Sequence, residues 1–222
     1  MPAVKSRAII FDAYGTLFDV HSVVLRAASG IPGDLKALSR LWRQKQLEGT
    51  WLRALMERYV DFWQITHEAL RSAVREMAMD ASHAQLDRLL QAYLCPAVFE
   101  DARVALETFH ETPMAILSNG SPSMLEAAVR NNGLQSYFQF VISADRVQTY
   151  KPSPRVYALG PQTLNVPAAE TLFVSSNAWD AAGAKAFGYQ VCWCNRSGAA
   201  VEPGEFAPDF TIDRLDLLRA ET

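Results

Sequence analysis

The chain has 222 residues, half of them apolar, with 24 acidic and 21 basic side chains and a formal charge of −3. That composition supports a substantial core, as one large domain or a core with a smaller insert. The charges are mixed along the chain, which indicates neither nucleic acid nor an anionic membrane as a partner. No apolar stretch approaches the roughly 20 residues that span a bilayer, and Met1 to Arg7 lacks the apolar centre of a signal peptide, so a cytoplasmic location is expected. Three cysteines, Cys95, Cys192 and Cys194, are too few and too irregular for a disulfide scaffold or a zinc site, and reduced thiols are expected.

In chain order, the first predicted strand is the apolar run Ala8-Ile9-Ile10-Phe11, closed by a turn at Gly15-Thr16. Open α/β sheets bind their ligands at the carboxyl ends of strands. Asp12 is therefore expected to project from a rigid strand into a crevice, where a carboxylate with a fixed line of approach can act as a nucleophile. From His21 to Tyr93 the texture changes to helix-period segments at 35–47, 51–63, 67–77 and 85–93, which predict a helical insert. Gly49, in Leu47-Glu48-Gly49-Thr50, is expected to hinge or break that helical run.

From Pro96 onward, strands predicted at 115–117, 140–142, 171–174 and 191–193 alternate with helical runs at 124–131, 155–164 and 181–187, the pattern of a parallel sheet covered on both faces. Prolines 122 and 154 mark helix starts, and Gly133 and Gly188 mark helix ends. Cys192 and Cys194 fall on one face of the last strand, where core packing is expected. The division that follows is an α/β catalytic core of residues 1–18 and 96–222 with a helical cap inserted at 19–95, and a ligand crevice between the two.

Four strand ends carry polar residues suited to catalysis. They are Asp12 and Thr16, then Ser118 and Asn119, then Lys151 before a proline, then Ser175-Ser176-Asn177-Ala178-Trp179-Asp180. Ser118-Asn119-Gly120-Ser121 precedes a helix, whose free N–H groups favour an anion. No member is diagnostic alone. The ordered set is.

In that order and spacing the chain resembles the haloacid dehalogenase superfamily, over nearly its whole length. Most of that superfamily are phosphatases with Asp-x-Asp in the first motif and a further metal-binding acid in the last. This sequence has Tyr14 at the second aspartate position and Ser175-Ser176-Asn177 in the last segment. Those departures resemble the L-2-haloacid dehalogenases, as do Phe11-Asp12-Ala13-Tyr14-Gly15-Thr16-Leu17, Ser118-Asn119-Gly120-Ser121, Lys151-Pro152, and Leu41-Trp42-Arg43-Gln44-Lys45-Gln46-Leu47 continuing into Thr50-Trp51-Leu52.

The resemblance implies a Rossmann-like α/β fold and the hydrolysis of L-2-haloalkanoic acids to D-2-hydroxyalkanoic acids, with inversion, through an ester on Asp12. Phosphoryl transfer recruits Mg²⁺ and a general acid, whereas a departing halide needs stabilisation without a proton, so no metal or other cofactor is expected. Tyr14 would close an apolar pocket around the attacked carbon. Arg43, with Asn119 and Trp179, is assigned to the halide. Ser118, with backbone N–H groups near Tyr14 and Asn119, is assigned to the substrate carboxylate. Lys151 would offset the negative charges of Asp12, Asp180 and the substrate. Asp180, with Ser175 and Asn177, would activate or position the hydrolytic water. Thr16 and Tyr157 would orient these groups, and Tyr14, Gln44, Leu47, Phe62 and Trp179 match the family's substrate pocket. The expected partners are the small 2-haloalkanoate, the released halide and a second copy of the chain paired through the cap. The alternatives are a fluoroacetate-type dehalogenase and a magnesium-dependent small-molecule phosphatase.

Overall fold

The computed structural model describes residues 3–4, 6–200 and 204–220, so the reading of Met1 to Arg7 and the outermost ends of the core range fall partly outside them. Six strands form one fully parallel sheet: β1 Ala8–Phe11, β2 Met114–Ser118, β3 Phe140–Ser143, β4 Thr171–Ser175, β5 Gln190–Cys194 and β6 Phe210–Ile212, in the order β3-β2-β1-β4-β5-β6. The first strand in sequence is thus near the middle, flanked by β2 and β4. It is buried throughout because both faces are covered, which is why it reads as a continuous apolar run rather than an alternating one. Ile9, Phe11, Leu172, Val174, Cys192 and Cys194 pack on one face, and Ile10, Ala115, Leu117, Phe173, Val191 and Trp193 on the other, as a two-residue period requires.

Helices α5 Glu100–Thr108 and α6 Pro122–Asn131 cover the first face, and α7 Pro154–Tyr157, α8 Leu159–Leu164 and α9 Ala178–Phe187 the second. Between β1 and α5 lie four helices, α1 His21–Ala27, α2 Leu35–Leu55, α3 Phe62–Glu76 and α4 His83–Tyr93. Their apolar faces join the first-face core through Leu38, Trp42, Phe62, Leu70 and Leu89. A short antiparallel ladder, Phe18–Asp19 against Ala97–Val98, ties together the two chain segments that enter and leave this helical layer. The four strands predicted from Pro96 onward are present, a residue or so longer at their ends.

Three helical expectations are corrected. The run 51–63 is not one helix: α2 ends at Leu55, Glu57 takes a left-handed φ of 55°, and Asp61 starts α3 by accepting the Gln64 N–H at 2.8 Å. Capping by that aspartate outweighs an apolar period that runs across the break. Gly49, conversely, breaks nothing and sits inside an unbroken α2. A side chain there would meet the Ile65 γ2-methyl at 3.1 Å, so the glycine serves the close approach of α2 to α3. The run 155–164 divides into α7 and α8, and β6 was not foreseen.

One buried ion pair joins distant segments. Asp101 on α5 accepts two hydrogen bonds from the Arg196 guanidinium, at 2.7 and 3.0 Å, and the Leu215 N–H at 2.8 Å. Arg196 also donates to the Thr16 carbonyl at 3.0 Å and lies over the Phe99 ring. The turn after β1 is thereby tied to the loop after β5. Removing one partner of a buried pair leaves the other uncompensated. Asp101→Ala is expected to cost about 3 kcal/mol of unfolding free energy; a loss below about 1 kcal/mol in urea titration would show that Arg196 is instead satisfied by water.

Candidate active site

The turn after β1 opens at Asp12, whose N–H still bonds to Val174 on β4, so the residue is held at the sheet's carboxyl edge. The residue is 6% exposed and its side chain is engaged at both oxygens. The Thr16 hydroxyl donates to Oδ2 at 3.0 Å, Asn177 Nδ2 donates to the same oxygen at 2.9 Å, and Lys151 Nζ donates to Oδ1 at 3.2 Å. Thr16 is aimed because its own oxygen accepts the Ser176 N–H at 2.8 Å. Asn177 is aimed because its N–H donates to Ser175 Oγ at 3.1 Å, which shapes the turn at the end of β4. Ser175 therefore acts on Asp12 only through Asn177.

Lys151 lies at the centre of a buried cluster. Its ammonium also donates to Asp180 Oδ2 at 2.9 Å, and the Tyr157 hydroxyl donates to Asp180 Oδ1 at 2.7 Å. Lys151 and Asp180 are both inaccessible to solvent. Burial alone would lower the lysine pKa, but the facing carboxylates of Asp12 and Asp180 outweigh it and set the group above its ordinary value. Asp180 is raised, first by burial and then by the Asp12 charge, against the opposing pull of Lys151 and Tyr157. Tyr157 reaches Asp180 because Gly183, one turn along α9, leaves no side chain in its path; a methyl there would lie 2.5 Å from the Tyr157 hydroxyl.

Beside Asp12 is a nearly closed cavity that leaves about 10 Å³ for the centre of a water-sized sphere, roughly one molecule's room. The core contributes Asp12, Tyr14, Ser118, Asn119, Asn177 and Trp179 to its wall, and the helical layer contributes Arg43, Leu47 and Phe62. Arg43 donates to the Tyr14 carbonyl at 3.3 Å. Tyr14 is packed against Phe18, Phe62 and Tyr93 with ring centroids 5.5 to 6.2 Å away, and its hydroxyl has no partner. Burial, then the Tyr93 and Asp12 neighbours, push that hydroxyl well above its usual pKa despite Arg43, so it stays neutral. On the opposite wall, Asn119 Oδ1 accepts the Lys151 N–H at 2.9 Å and Ser118 Oγ accepts the Gly120 N–H at 3.2 Å.

Gln44 is the one candidate placed elsewhere. It is exposed and donates to Glu48 at 2.7 Å. The reason is helical: Arg43 and Leu47 are four apart and share a face, whereas Gln44 is turned by about 100° from Arg43. Thr16, Tyr157, Ser175 and Asp180 stand behind the wall, in contact with the groups that form it. Nothing local in the sequence marks Gly183 or the Arg196 tether of the Thr16 carbonyl.

A family model for haloacid dehalogenase-like hydrolases matches residues 6–188. The chain is 47% identical over 211 residues to an (S)-2-haloacid dehalogenase of Pseudomonas sp. strain YL, covering 94% of this chain and 91% of the relative. It is 45% identical to haloacetate dehalogenase H-2 of Moraxella sp. strain B, with 96% of both chains covered. Among solved structures, the L-2-haloacid dehalogenase of Xanthobacter autotrophicus with chloropropionic acid covalently bound superposes with a TM-score of 0.86 at 40% identity, over 95% of this chain and 96% of that one. A parallel sheet with a buried aspartate at the end of its first strand, matched along nearly its whole length by such relatives, places the chain in the family of haloacid dehalogenase-like hydrolases.

Proposed function

We propose that the protein is an (S)-2-haloacid dehalogenase that hydrolyses L-2-haloalkanoic acids to D-2-hydroxyalkanoic acids through an ester on Asp12. The observation that carries this reading is the Asp12 carboxylate, held at three points beside a small cavity, with Tyr14 where a second carboxylate would otherwise project. The named activity of relatives at about half identity, and a covalently bound substrate acid in a close structural neighbour, support it. Residues 1–18 and 96–222 are read as the catalytic core and 19–95 as its cap, with the Phe18–Asp19 ladder as the seam.

In the first step a carboxylate oxygen of Asp12 attacks the α-carbon opposite the halogen, the carbon–halogen bond breaks, and halide departs with the bonding pair. Arg43 and Asn119 are placed to receive that charge, beside Trp179, in a site where desolvation strengthens each contact. Ser118, near the N-terminus of α6, is read as holding the substrate carboxylate. Leu47, Phe62 and Tyr14 exclude water from the carbon under attack. In the second step water attacks the Asp12 carbonyl carbon, not the α-carbon, so the single inversion survives. Asp180 lies outside the substrate cavity but next to the Asp12 carboxyl through Lys151, which is where the base for this step is needed. Its raised pKa makes it a better proton acceptor than a solvated aspartate. Thr16, Asn177, Ser175 and Tyr157 are assigned to orientation.

A homodimer through the cap belongs to the same proposal, supported by Leu52, Leu55 and Met56, which are 57, 83 and 57% exposed at the end of α2. So does a cytoplasmic location, supported by three free cysteines; among the described residues no helix is long and apolar enough to cross a membrane.

Halide release from the L enantiomer of 2-chloropropionate, and not the D form, with EDTA present, is the expected result. Magnesium-dependent phosphate release without halide release would instead support a phosphatase. Asp12→Ala should abolish turnover. Asp180→Asn should slow ester hydrolysis more than alkylation, so mass spectrometry under excess substrate should find a covalent adduct; its absence would remove Asp180 as the base. Because Tyr157 opposes the burial-driven rise of the Asp180 pKa, Tyr157→Phe should move the acid limb of kcat to higher pH, and an unmoved limb would uncouple Tyr157 from Asp180.

A further inference from the structure

A polar chain runs through the apolar helical layer beside Arg43. Gln46 and Thr66 are inaccessible to solvent, and Tyr93 is buried. The Tyr93 hydroxyl, at the end of α4, donates to Gln46 Oε1 on α2 at 3.1 Å. Gln46 Nε2 donates to Thr66 Oγ1 on α3 at 2.9 Å, and the Thr66 hydroxyl donates to the Phe62 carbonyl at 2.7 Å. The order of donors is fixed from the far end. Two oxygens at 2.7 Å need the Thr66 proton between them, so Thr66 Oγ1 can only accept from Gln46. Gln46 must then present its N–H to Thr66 and its carbonyl to Tyr93. The Tyr93 proton is thereby committed to Gln46, and what its oxygen has left is an acceptor lone pair.

We propose that Tyr93, Gln46 and Thr66 form a positioning relay for Arg43, in which the Tyr93 oxygen holds the guanidinium in place for the departing halide. The inference deepens the reading of Asp12 and Arg43 given above and rests on it. Arg43 and Gln46 are three apart on α2 and so lie side by side. The Tyr93 ring packs on Tyr14, with centroids 5.5 Å apart, and the Tyr14 carbonyl accepts from Arg43 at 3.3 Å. Burial pushes the Tyr93 hydroxyl above its usual pKa, while the Arg43 guanidinium and the Gln46 bond pull it down, which marks Arg43 as its charged neighbour. The bond to Tyr14 is long for a charge-assisted one and engages one of five guanidinium donors, so it alone holds the group loosely. A phenol suits the second hold. It accepts from a cation yet stays neutral, and the positive charge remains available to the halide, whereas a carboxylate there would neutralise it. Buried polar chains are costly unless every member is bonded, and this one fixes the direction of its last acceptor.

The test follows a single turnover of L-2-bromopropionate by rapid quench, with enzyme in saturating excess, in the wild type, Tyr93→Phe, Thr66→Val and Thr66→Ser. Bromide appearance reports alkylation of Asp12, and the lag from bromide to 2-hydroxypropionate reports ester hydrolysis. Tyr93→Phe keeps the ring and removes the acceptor. Bromide appearance is expected to slow about tenfold or more, with a lag no longer than in the wild type. Thr66 does not line the cavity. Thr66→Val removes the acceptor of the Gln46 N–H, which frees the amide to turn and the Tyr93 proton to face Arg43, so bromide appearance is expected to slow about threefold or more. Thr66→Ser keeps the hydroxyl and is expected to restore the wild-type rate. A Tyr93→Phe rate within about twofold of wild type overturns the proposal. So does a lag lengthened in proportion to alkylation, the mark of a general distortion of the site, or a Thr66→Ser rate as slow as that of Thr66→Val. Misfolded protein contributes no rate constant to a saturated single turnover, so loss of fold is not mistaken for loss of the relay. A wild type that releases no bromide strikes the reading of Asp12 itself, a result distinct from slow alkylation in the variants.

Discussion

The structure depends on how three charges share one buried place. Asp12, Lys151 and Asp180 come from the ends of three chain segments that are remote in sequence, and the ammonium lies within hydrogen-bonding distance of both carboxylates. Desolvating such groups costs several kcal/mol each, roughly, and only the close geometry and the added hydrogen bonds offset it. A lysine between two carboxylates leaves one net negative charge, which bonds from Thr16, Asn177 and Tyr157 disperse. The parallel sheet makes this possible: β1 and β4 are adjacent and in register, so Asp12 and the Ser175–Asn177 turn emerge side by side. The cluster is two carboxylates held apart by a common counterion.

That geometry gives Tyr14 its meaning. A second carboxylate at this position would add a charge to a wall that already faces Asp12, whereas the tyrosine ring joins Phe18, Phe62 and Tyr93 in an apolar pack and keeps a neutral hydroxyl. The helical layer completes the enclosure. It supplies one charge, Arg43, to the cavity wall, and is fastened to the core by the Tyr59 hydroxyl donating to Asp145 at 2.6 Å and by Tyr150 donating to the Val60 carbonyl. A guanidinium is a fixed positive charge with planar donors suited to an anion.

The polar strand ends were legible in the sequence because parallel α/β topology sends every strand's carboxyl end to one edge, so a list of polar residues after apolar runs is already a list of neighbours. All nine cavity residues, from Asp12 through Trp179, could be named that way or through the family motif. The misses have local causes. The break after Leu55 is set by Asp61 capping, which an apolar period does not register. Gly49 was read for its low helix propensity, but tertiary packing against Ile65 decides its position. Gln44 was carried by the motif around it, and the helical period turns it outward. The Asp101–Arg196 bridge spans 95 residues, and nothing local marks either partner.

The unbroken α2 is what joins the catalytic cavity to the groove beside it. Arg43, Leu47, Trp51 and Ala54 follow at steps of four, four and three, so a helix of 3.6 residues per turn presents them as one stripe, with Leu55 beyond its edge. The first two line the catalytic cavity and the others line the neighbouring groove, which shares Trp179 with it. A break at Gly49 would have turned the second half of the stripe away from the first. By letting α3 approach without ending the helix, Gly49 keeps Arg43 on the catalytic cavity and Trp51 beside Trp179 in a single rigid register. A rotation of α2 about its own axis would therefore displace Arg43 and Trp51 together.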